Sequence, residues 1–202
     1  MQLLRVILPR GKGSEFMNSL KDYGAYAITC LYGFGSANDS LSNKLHVDKI
    51  KKEIVVAILD DDNIEKVLGV LDEKISKTNT AIAFTSPLDY KGDSDLTNSN
   101  NYVALYVIVD RQEGHRAIQI AQENGARGAT LVHGRGAGEK VKTILMNMSI
   151  EPEKDIAIML VKKDLVEAIK TAIYEQMNLE EENKGIIYSL PVMEVRGLVE
   201  QK

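Results

Sequence analysis

The stretch LLRVILPRGKGSEFMNSLKDYGAYAITCLYGFG, residues 3–35, recurs in altered form in the second half of the chain. When the second half is shifted back by 101 positions, Gly13 aligns with Gly114. Further identical residues then fall in register: Leu4 with Leu105, Val6 with Val107, Ile7 with Ile108, Gly24-Ala25 with Gly125-Ala126, Thr29 with Thr130, Gly33 with Gly134 and Leu59 with Leu160. This period is too long for a solenoid repeat and is typical of a small domain. The sequence therefore predicts two copies of one domain.

Each copy alternates strand patterns with helix patterns in the same order. Short apolar runs bounded by Pro and Gly predict strands, and apolar residues at helical spacing predict helices. The first copy predicts strands over 3–8, 26–32, 54–59 and 81–85, a helix over 14–23, and a helix that begins at Asp60–Asp62. The second copy predicts strands over 102–109, 128–133, 155–161 and 185–189 and helices over 113–124 and 163–177.

This order predicts an α+β fold of two tandem ferredoxin-like (βαββαβ) domains, each a four-stranded antiparallel sheet with two helices on one face. The domains are predicted over residues 1–87 and 102–202, joined by a polar, turn-rich linker over 88–101. The sheet face without helices is expected to present Leu4, Tyr26, Val56, Ile108 or their neighbours. An uncovered apolar face favours association between copies or chains.

The composition excludes several classes of protein. A net charge of −4 and the absence of Trp argue against nucleic-acid binding. No apolar run is long enough to cross a membrane, and MQLLRVILPR lacks the basic start of a signal peptide. The single cysteine, Cys30, excludes an intrachain disulfide. We therefore predict a cytoplasmic protein.

Three segments resemble the PII family of nitrogen-regulatory signalling proteins. They are YGFG at Tyr32–Gly35, KIKKEIVVAILDDDNIEKVL at Lys49–Leu68 and GIIYSLPV at Gly185–Val192. The resemblance extends over both copies, and therefore over nearly the whole chain outside the linker. It depends on the order, spacing and repetition of the segments, since each one alone is short.

The resemblance implies a homo-oligomer, as a trimer or pseudo-hexameric barrel, that binds adenine nucleotides and regulates a partner protein through its loops. It also implies a loop hinge at Gly33-Phe34-Gly35. Family members have a Lys before the last strand; here Ile186 occupies that position, with Lys184 nearby. Residues 79–82 of the first copy have neither the glycines nor the Lys. We therefore expect a degenerate ligand site in the first copy and a better one in the second.

A glycine-rich segment, HGRGAGEK over residues 133–140, is the strongest candidate site. Alternating glycines let a backbone approach a ligand closely, and a helix expected over Glu139–Asn147 would favour an anion at its start. The candidate ligand-binding residues are His133, Gly134, Arg135, Gly136, Gly138, Lys140, Lys184 and Gly185. The predicted ligand is a phosphate or carboxylate; the alternative is that the glycines form only a loop hinge.

Other reactive side chains favour structural roles. His46 and His115 have no partner at zinc-site spacing, so no metal site is predicted. Cys30 lies in a predicted strand and is expected to fill core. The sequence shows no nucleophile–base pair and no paired carboxylates on one face, so we predict that the chain is not an enzyme. Two alternatives stay open: a CutA-like metal- or anion-binding trimer, and a structural adaptor that binds protein without a small ligand.

Overall fold

The computed structural model describes residues 1–37, 50–78, 81–88, 100–135, 143–145, 148–150, 153–181 and 184–198. Its strands are β1 (Gln2–Pro9), β2 (Tyr26–Ala37), β3 (Ile50–Leu59), β4 (Ile82–Pro87), β5 (Tyr102–Asp110), β6 (Gly128–Arg135), β7 (Thr143–Leu145), β8 (Met148–Ile150), β9 (Glu153–Lys162), β10 (Gly185–Pro191) and β11 (Val195–Arg196). Its helices are α1 (Gly13–Asp22), α2 (Asp61–Thr78), α3 (Gly114–Glu123) and α4 (Val166–Gln176), with a 3₁₀ turn over Lys163–Leu165.

The chain forms two compact units. The first comprises the described residues of Met1–Phe34, Lys49–Val103 and Leu190–Lys202, and the second those of Gly35–Asp48 and Ala104–Ser189. The predicted domain bounds, 1–87 and 102–202, stay a prediction, and residues 89–99 of the predicted linker lie outside the described residues.

Both units are ferredoxin-like, as the sequence predicts. The strands of the first unit follow the order β2-β3-β1-β4, and those of the second follow β6-β9-β5-β10. β1 is antiparallel to both β3 and β4, with Val6 opposite Val55 and Ala83. Each unit is thus the split βαβ arrangement in which the first strand lies inside the sheet.

The repeated Gly-Ala pair ends the first helix of each unit. Gly24 has φ 70° and Gly125 has φ 99°, in the left-handed region that glycine adopts without strain. The N–H of Ala25 donates to the carbonyl of Leu20, five residues back, and Ala126 repeats this contact. This bond pattern is the Schellman cap, which satisfies carbonyls at a helix C-terminus. The Gly-Ala pair is therefore the same in both copies because the backbone needs a glycine where each helix ends.

The hydrophobic core of the first unit lies between the sheet and its helices. Leu4, Val6 and Leu8 are buried on the helix side, together with residues of β3 and of both helices. The expectation that Leu4 lies on the face without helices is therefore wrong. The alternation of the strand places Leu3, Arg5 and Ile7 on that face instead.

The face without helices is less apolar than predicted, because it includes Arg5. That residue is only 6% exposed and donates from Nη1 to Oγ of Ser86 at 3.1 Å. Its guanidinium carbon also lies 5.4 Å from the centroid of the Phe84 ring, opposite it in β4. A buried arginine needs such partners, since an unpaired buried charge is costly.

A helix is predicted over Glu139–Asn147, but residues 143–145, the part of that range that the structure describes, form a strand. Thr143–Leu145 and Met148–Ile150 pair as antiparallel strands, with Leu145 opposite Met148. β-branched residues at Thr143, Ile144 and Ile150 favour extended backbone and explain the difference.

A segment near the end of the chain adds a fifth strand to the first unit. β11 pairs with β4, with Val195 opposite Phe84. Thr85 is the centre of this contact: its N–H donates to the carbonyl of Glu194, and its carbonyl accepts from Met193. Val192, which precedes β11 in the chain, is completely buried. β11 therefore covers an edge that a four-stranded unit would leave open.

Candidate functional site

His133 and Asp155 lie opposite each other in neighbouring strands of the second unit. The register of β6 and β9 pairs them directly, with Leu131 opposite Ala157 two positions further in. Nδ1 of His133 lies 2.8 Å from Oδ1 of Asp155; the side chain of His133 is 29% exposed and that of Asp155 is 2% exposed. Since an ionised carboxylate only accepts, Nδ1 is the donor of this pair. The buried carboxylate therefore fixes the orientation of a partly exposed imidazole.

Asp155 is satisfied on both of its oxygens. Oδ1 also accepts from Nη1 of Arg111 at 3.2 Å. Oδ2 accepts the backbone N–H groups of Gln112 at 3.0 Å and of Gly114 at 3.3 Å. Gly114 begins α3, so the carboxylate lies at the positive end of the helix dipole. Asp155 therefore connects a strand, a turn and a helix start with one arginine and one histidine.

The first unit repeats this arrangement with Glu53 in place of Asp155. Oε2 of Glu53 accepts the N–H of Gly13, the first residue of α1, at 2.6 Å. Oε1 lies 3.6 Å from Nε of Arg10, which is the counterpart of Arg111. The guanidinium carbon of Arg10 lies 3.9 Å from the centroid of the Tyr32 ring, and Tyr32 is the counterpart of His133. Both units therefore place an arginine and a ring beside a buried carboxylate. We call this arrangement the corner of each unit: Arg10, Tyr32 and Glu53 in the first, and Arg111, His133 and Asp155 in the second.

Glycine is required at both helix starts, because no space exists for a Cβ. A Cβ on Gly13 would lie 2.7 Å from Oε2 of Glu53 and 2.9 Å from Sγ of Cys30. A Cβ on Gly114 would lie 2.7 Å from Cβ of Asp155 and 2.6 Å from a methyl of Leu131. Those distances are far below van der Waals contact. The alignment of Gly13 with Gly114 therefore reflects a close approach of helix to sheet.

Cys30 lies beside this corner of the first unit. It is half-buried and packs against the hydrophobic core, as the sequence predicts. Burial raises the pKa of the Cys30 thiol, and the negative charge of Glu53 raises it further, while Arg10 acts in the opposite direction. The thiol is therefore less ionised at neutral pH than an ordinary cysteine.

The residues predicted to form the glycine-rich site are only partly described. Gly134 lies opposite Lys154 and Arg135 opposite Glu153, so both belong to β6 rather than to a loop. The remaining predicted residues, Gly136, Gly138 and Lys140, lie outside the described residues. Within the described part, His133 adjoins the Asp155 corner and leads directly into the glycine-rich segment.

Lys184 and Gly185 have local partners. Nζ of Lys184 lies 3.6 Å from a carboxylate oxygen of Glu181, and both side chains are about half exposed. A Cβ on Gly185 would lie 2.7 Å from the carbonyl oxygen of Ile108. Close packing of β10 against β5 thus accounts for this glycine, and a role of either residue in ligand binding stays a prediction.

The predicted hinge Gly33-Phe34-Gly35 lies inside β2, which continues to Ala37 instead of ending at Tyr32. Gly33 is buried and Phe34 is half-buried. Glycine accepts extended backbone as readily as a turn, so the sequence alone does not fix where this strand ends. The hinge role stays a prediction.

Sequence reasoning missed the two buried carboxylates and the two arginines. Arg10 and Arg111 align at the offset already found from the glycines, and this signal was present in the sequence. Glu53 and Asp155 were hidden because the third strand is shifted by one further position. The counterpart of Leu59 is therefore the buried Val161, and its alignment with Leu160 is wrong. The backbone shows the shift: Arg10 donates to the carbonyl of Lys51, and Arg111 to that of Glu153.

No protein-family model and no curated protein sequence matches the chain. Among solved structures, "CPII bound to ADP, AMP and acetate" from Thiomonas intermedia K12, a PII-family protein, is similar over 45% of this chain and 84% of its own, with 18% identity and a TM-score of 0.34. An unknown protein from Galdieria sulphuraria is similar over 95% of this chain and 97% of its own, with 11% identity and a TM-score of 0.31. At these identities the likeness concerns the fold alone.

A third similar structure corrects one prediction. It is a protein from Fusobacterium nucleatum named as a candidate monooxygenase, similar over 96% of this chain and 93% of its own, with 12% identity and a TM-score of 0.29. The prediction that the chain is not an enzyme is contradicted, because proteins named as enzymes occur among its structural neighbours. The structure also shows a contact that the sequence did not, between the imidazole of His133 and the buried carboxylate of Asp155.

None of the helices in the described residues is both long and apolar enough to cross a membrane. The same residues include no group of three His, Cys, Asp or Glu side chains arranged to hold a metal ion.

Proposed function

We propose that the chain is a PII-like signalling protein that senses a small anionic ligand, most simply an adenine nucleotide, and regulates a partner protein. The observation that supports this best is the corner formed by His133, Asp155 and Arg111. It presents an oriented imidazole at the point where β6 passes into the glycine-rich segment. Ligand binding there would bias the conformation of the loop that follows, which is how such a protein would signal.

The ligand would contact the ring of His133 and the loop residues, while Asp155 would hold the ring in place. Asp155 itself is too deeply buried to contact a ligand, and its charge is matched by Arg111 and by the start of α3. His133 is therefore the residue whose loss should affect binding most directly.

Calorimetric titration of the full chain with ATP, ADP, AMP and cyclic nucleotides tests the proposal. We expect at least one of them to bind, and we expect His133→Ala to weaken that binding about tenfold, as for the loss of one good hydrogen bond to a charged group. Tyr174→Ala, which removes an exposed ring on α4, is the control and should leave affinity unchanged. Absence of binding by every nucleotide would contradict the proposal.

A metal-binding function is the second candidate, and one observation favours it. A histidine that binds a metal through one ring nitrogen commonly donates a hydrogen bond from the N–H of the other to a carboxylate. Nδ1 of His133 makes such a contact with Asp155. Thermal stabilisation by Zn²⁺ or Cu²⁺ that disappears in His133→Ala would support it. Stabilisation that is equal in both proteins would place the ion elsewhere.

The proposed assembly is a homo-oligomer, a trimer or pseudo-hexameric barrel, in the cytoplasm. Two apolar side chains on β10, Ile186 and Tyr188, are exposed in the single chain. They support association, because neighbouring apolar side chains left exposed on one chain commonly mark a surface that a partner covers. The single cysteine supports a reducing compartment. Native mass spectrometry of the purified chain tests the assembly: a monomer at micromolar concentration would contradict it.

A further inference from the structure

We infer that the outer edge of β10 binds an extended peptide segment of a partner protein as an added antiparallel strand, with a basic residue of the peptide over the ring of Tyr174. This contact does not depend on the site around His133. The internal repeat supports it, because β10 is the counterpart of β4, and β4 already has an added strand, β11, beside it.

Thr85 holds β11 on the edge of β4 with three polar groups. Its N–H donates to the carbonyl of Glu194 at 2.9 Å, and its carbonyl accepts from the N–H of Met193 at 3.0 Å. Its hydroxyl oxygen accepts from the N–H of Glu194 at 3.2 Å. With the added strand in place, Thr85 is completely buried. One edge residue therefore provides both the backbone pair and the side-chain acceptor that hold an added strand.

The register of β10 against β5 matches that of β4 against β1. Arg5 lies opposite Phe84 in the first unit. Their counterparts in the second unit are Tyr106 and Tyr188, whose rings stack with centroids 5.1 Å apart and planes 2° apart. Such a stack is expected of residues that lie opposite each other in neighbouring strands. The two outer strands are therefore equivalent residue by residue, at an offset of 104 positions.

Ser189 is the counterpart of Thr85 at this offset, and it keeps the hydroxyl group. Because alternate residues of an antiparallel edge strand turn their N–H and C=O groups outward, Ser189 presents the same backbone pair that Thr85 uses. Ser189 is exposed, whereas Thr85 is buried. Among the described strands, β5 is the only neighbour of β10. The edge of β10 thus has the polar groups of a strand-binding site, and no described strand occupies them.

The sequence of β10 does not protect this edge. GIIYSLP, residues 185–191, contains no charged residue, and its single proline comes last. Natural edge strands commonly carry Lys, Pro or a bulge that prevents pairing with another chain. Tyr188 adds apolar surface, since it is 39% exposed, whereas Phe84 in the covered strand is 1% exposed. These features are typical of an edge that a binding partner covers.

Tyr174 determines which side chain the peptide needs. On β11, Arg196 lies opposite Ala83 and extends to Asp72 of α2, with its Nε 3.0 Å from Oδ1. The buried residues of α2 and α4 align at an offset of 102: Ile64 with Val166, Val67 with Ile169 and Leu71 with Ile173. At this offset Tyr174, which is 45% exposed, corresponds to Asp72. Arginine binds such a ring by a cation–π contact, and the exposed carboxylate of the adjacent Glu175 favours the same charge.

The peptide that fits this edge therefore has an apolar residue opposite Tyr188 and a basic residue next to it, as Val195 and Arg196 are arranged on β4. Main-chain hydrogen bonds to Ser189 would supply affinity, and the two side-chain contacts would supply specificity.

A fluorescein-labelled peptide with the sequence of residues 191–197, PVMEVRG, is the probe, and its fluorescence anisotropy with the full chain measures binding. We expect saturable binding that Ser189→Pro weakens at least about tenfold, because proline removes the outward N–H and leaves the bonds to β5 intact. Ser189→Ala removes only the hydroxyl and should weaken binding about fivefold. Ser14→Ala, at an exposed serine of α1, is the matched control and should change nothing.

A double-mutant cycle tests the contact with Tyr174. Replacing the arginine of the peptide by glutamine should weaken binding about fourfold, and Tyr174→Ala should do the same with the original peptide. The two changes together should cost no more than either one, because they remove one contact. Losses that multiply would show that the arginine binds elsewhere and would overturn the inference.

A peptide N-methylated at its methionine lacks the N–H that the carbonyl of Ser189 would accept. It should bind at least about tenfold more weakly, and it keeps the test independent of whether Ser189→Pro folds, which a thermal melt checks.

Three other results would overturn the inference. The peptide could fail to bind the unmodified chain. Binding could survive Ser189→Pro, which would indicate that the peptide replaces β11 on β4. Native mass spectrometry could show an oligomer that Ser189→Pro dissociates while the peptide binds neither form, which would assign the edge to a second copy of the chain. Nucleotide titrations do not bear on any of these results, so this inference and the proposed function fail separately.

Discussion

Glu53 and Asp155 hold equivalent positions in the two units, each as a buried carboxylate that accepts the N–H of the glycine beginning a helix. The side chains differ by one methylene and the flanking residues differ widely. Each carboxylate nevertheless reaches a glycine and an arginine at the same two positions of its copy. The contact is thus a shared device that attaches the first helix of each unit to the third strand.

Replacing Gly114 by alanine should destabilise the protein by about 2 kcal/mol, because the new methyl group would overlap Asp155 and Leu131. The midpoint of urea unfolding measures this. Gly69→Ala is the matched control: it lies in α2 with no atom within 4 Å of the new Cβ, and should stabilise by about 1 kcal/mol through helix propensity. Equal effects of the two substitutions would contradict the close packing at Gly114.

Asp155→Asn should lower stability by about 2 kcal/mol, because Arg111 loses its buried ionic partner while the side-chain volume is kept. Glu181→Gln removes a carboxylate from an exposed pair with Lys184 and should cost less than about 0.5 kcal/mol. Urea midpoints of the two variants, measured side by side, give the comparison. A loss at Asp155 no larger than that at Glu181 would show that the buried network contributes nothing.

Alkylation of Cys30 by iodoacetamide should have its pH midpoint above that of a free cysteine, because burial and Glu53 both raise the thiol pKa. Since only the thiolate reacts, a raised pKa moves the reactive range to higher pH. Glu53→Gln removes the negative charge and should lower the midpoint, whereas Arg10→Gln removes the opposing positive charge and should raise it. Shifts of the same sign in both variants would exclude an electrostatic cause.

Val192→Ala should loosen the added strand β11, since a completely buried side chain is truncated. We expect a loss of about 2 kcal/mol and faster hydrogen exchange at the amide of Thr85, which donates to the carbonyl of Glu194. Val70→Ala, a substitution of an exposed valine on α2, should leave that amide unchanged. Unchanged exchange at Thr85 in both variants would mean that the strand pairs without help from Val192.

The repeat made the fold predictable from the sequence. The same constant offset, however, concealed the two buried carboxylates. Gly13 and Gly114 align at a constant offset, and this offset reveals the two copies. Glu53 and Asp155 fall one position out of that register, so an alignment by identity does not bring them together. Their partnership with Arg10 and Arg111 depends on strand pairing, which only the folded backbone shows.

The local sequence pattern was also a poor guide to burial where contacts between distant parts of the chain determine which side chains are buried. Leu4 reads equally well on either side of a strand, and only the packing of α1 and α2 selects its side. Arg5 is a charged residue that burial rules would place at the surface, yet Ser86 and Phe84 accommodate it. Neither partner lies near it in sequence, so no local signal could have identified them.

The strand β11 has a consequence for the order of events during synthesis. Val195 and Arg196 belong to the sheet of the first unit, but the ribosome makes them only after all strands of the second. At roughly 5–20 residues per second, the edge of β4 waits roughly 5–20 seconds for its neighbour. During that interval the nascent chain has an open strand edge that a chaperone, or a neighbouring nascent chain on the same messenger RNA, could occupy first.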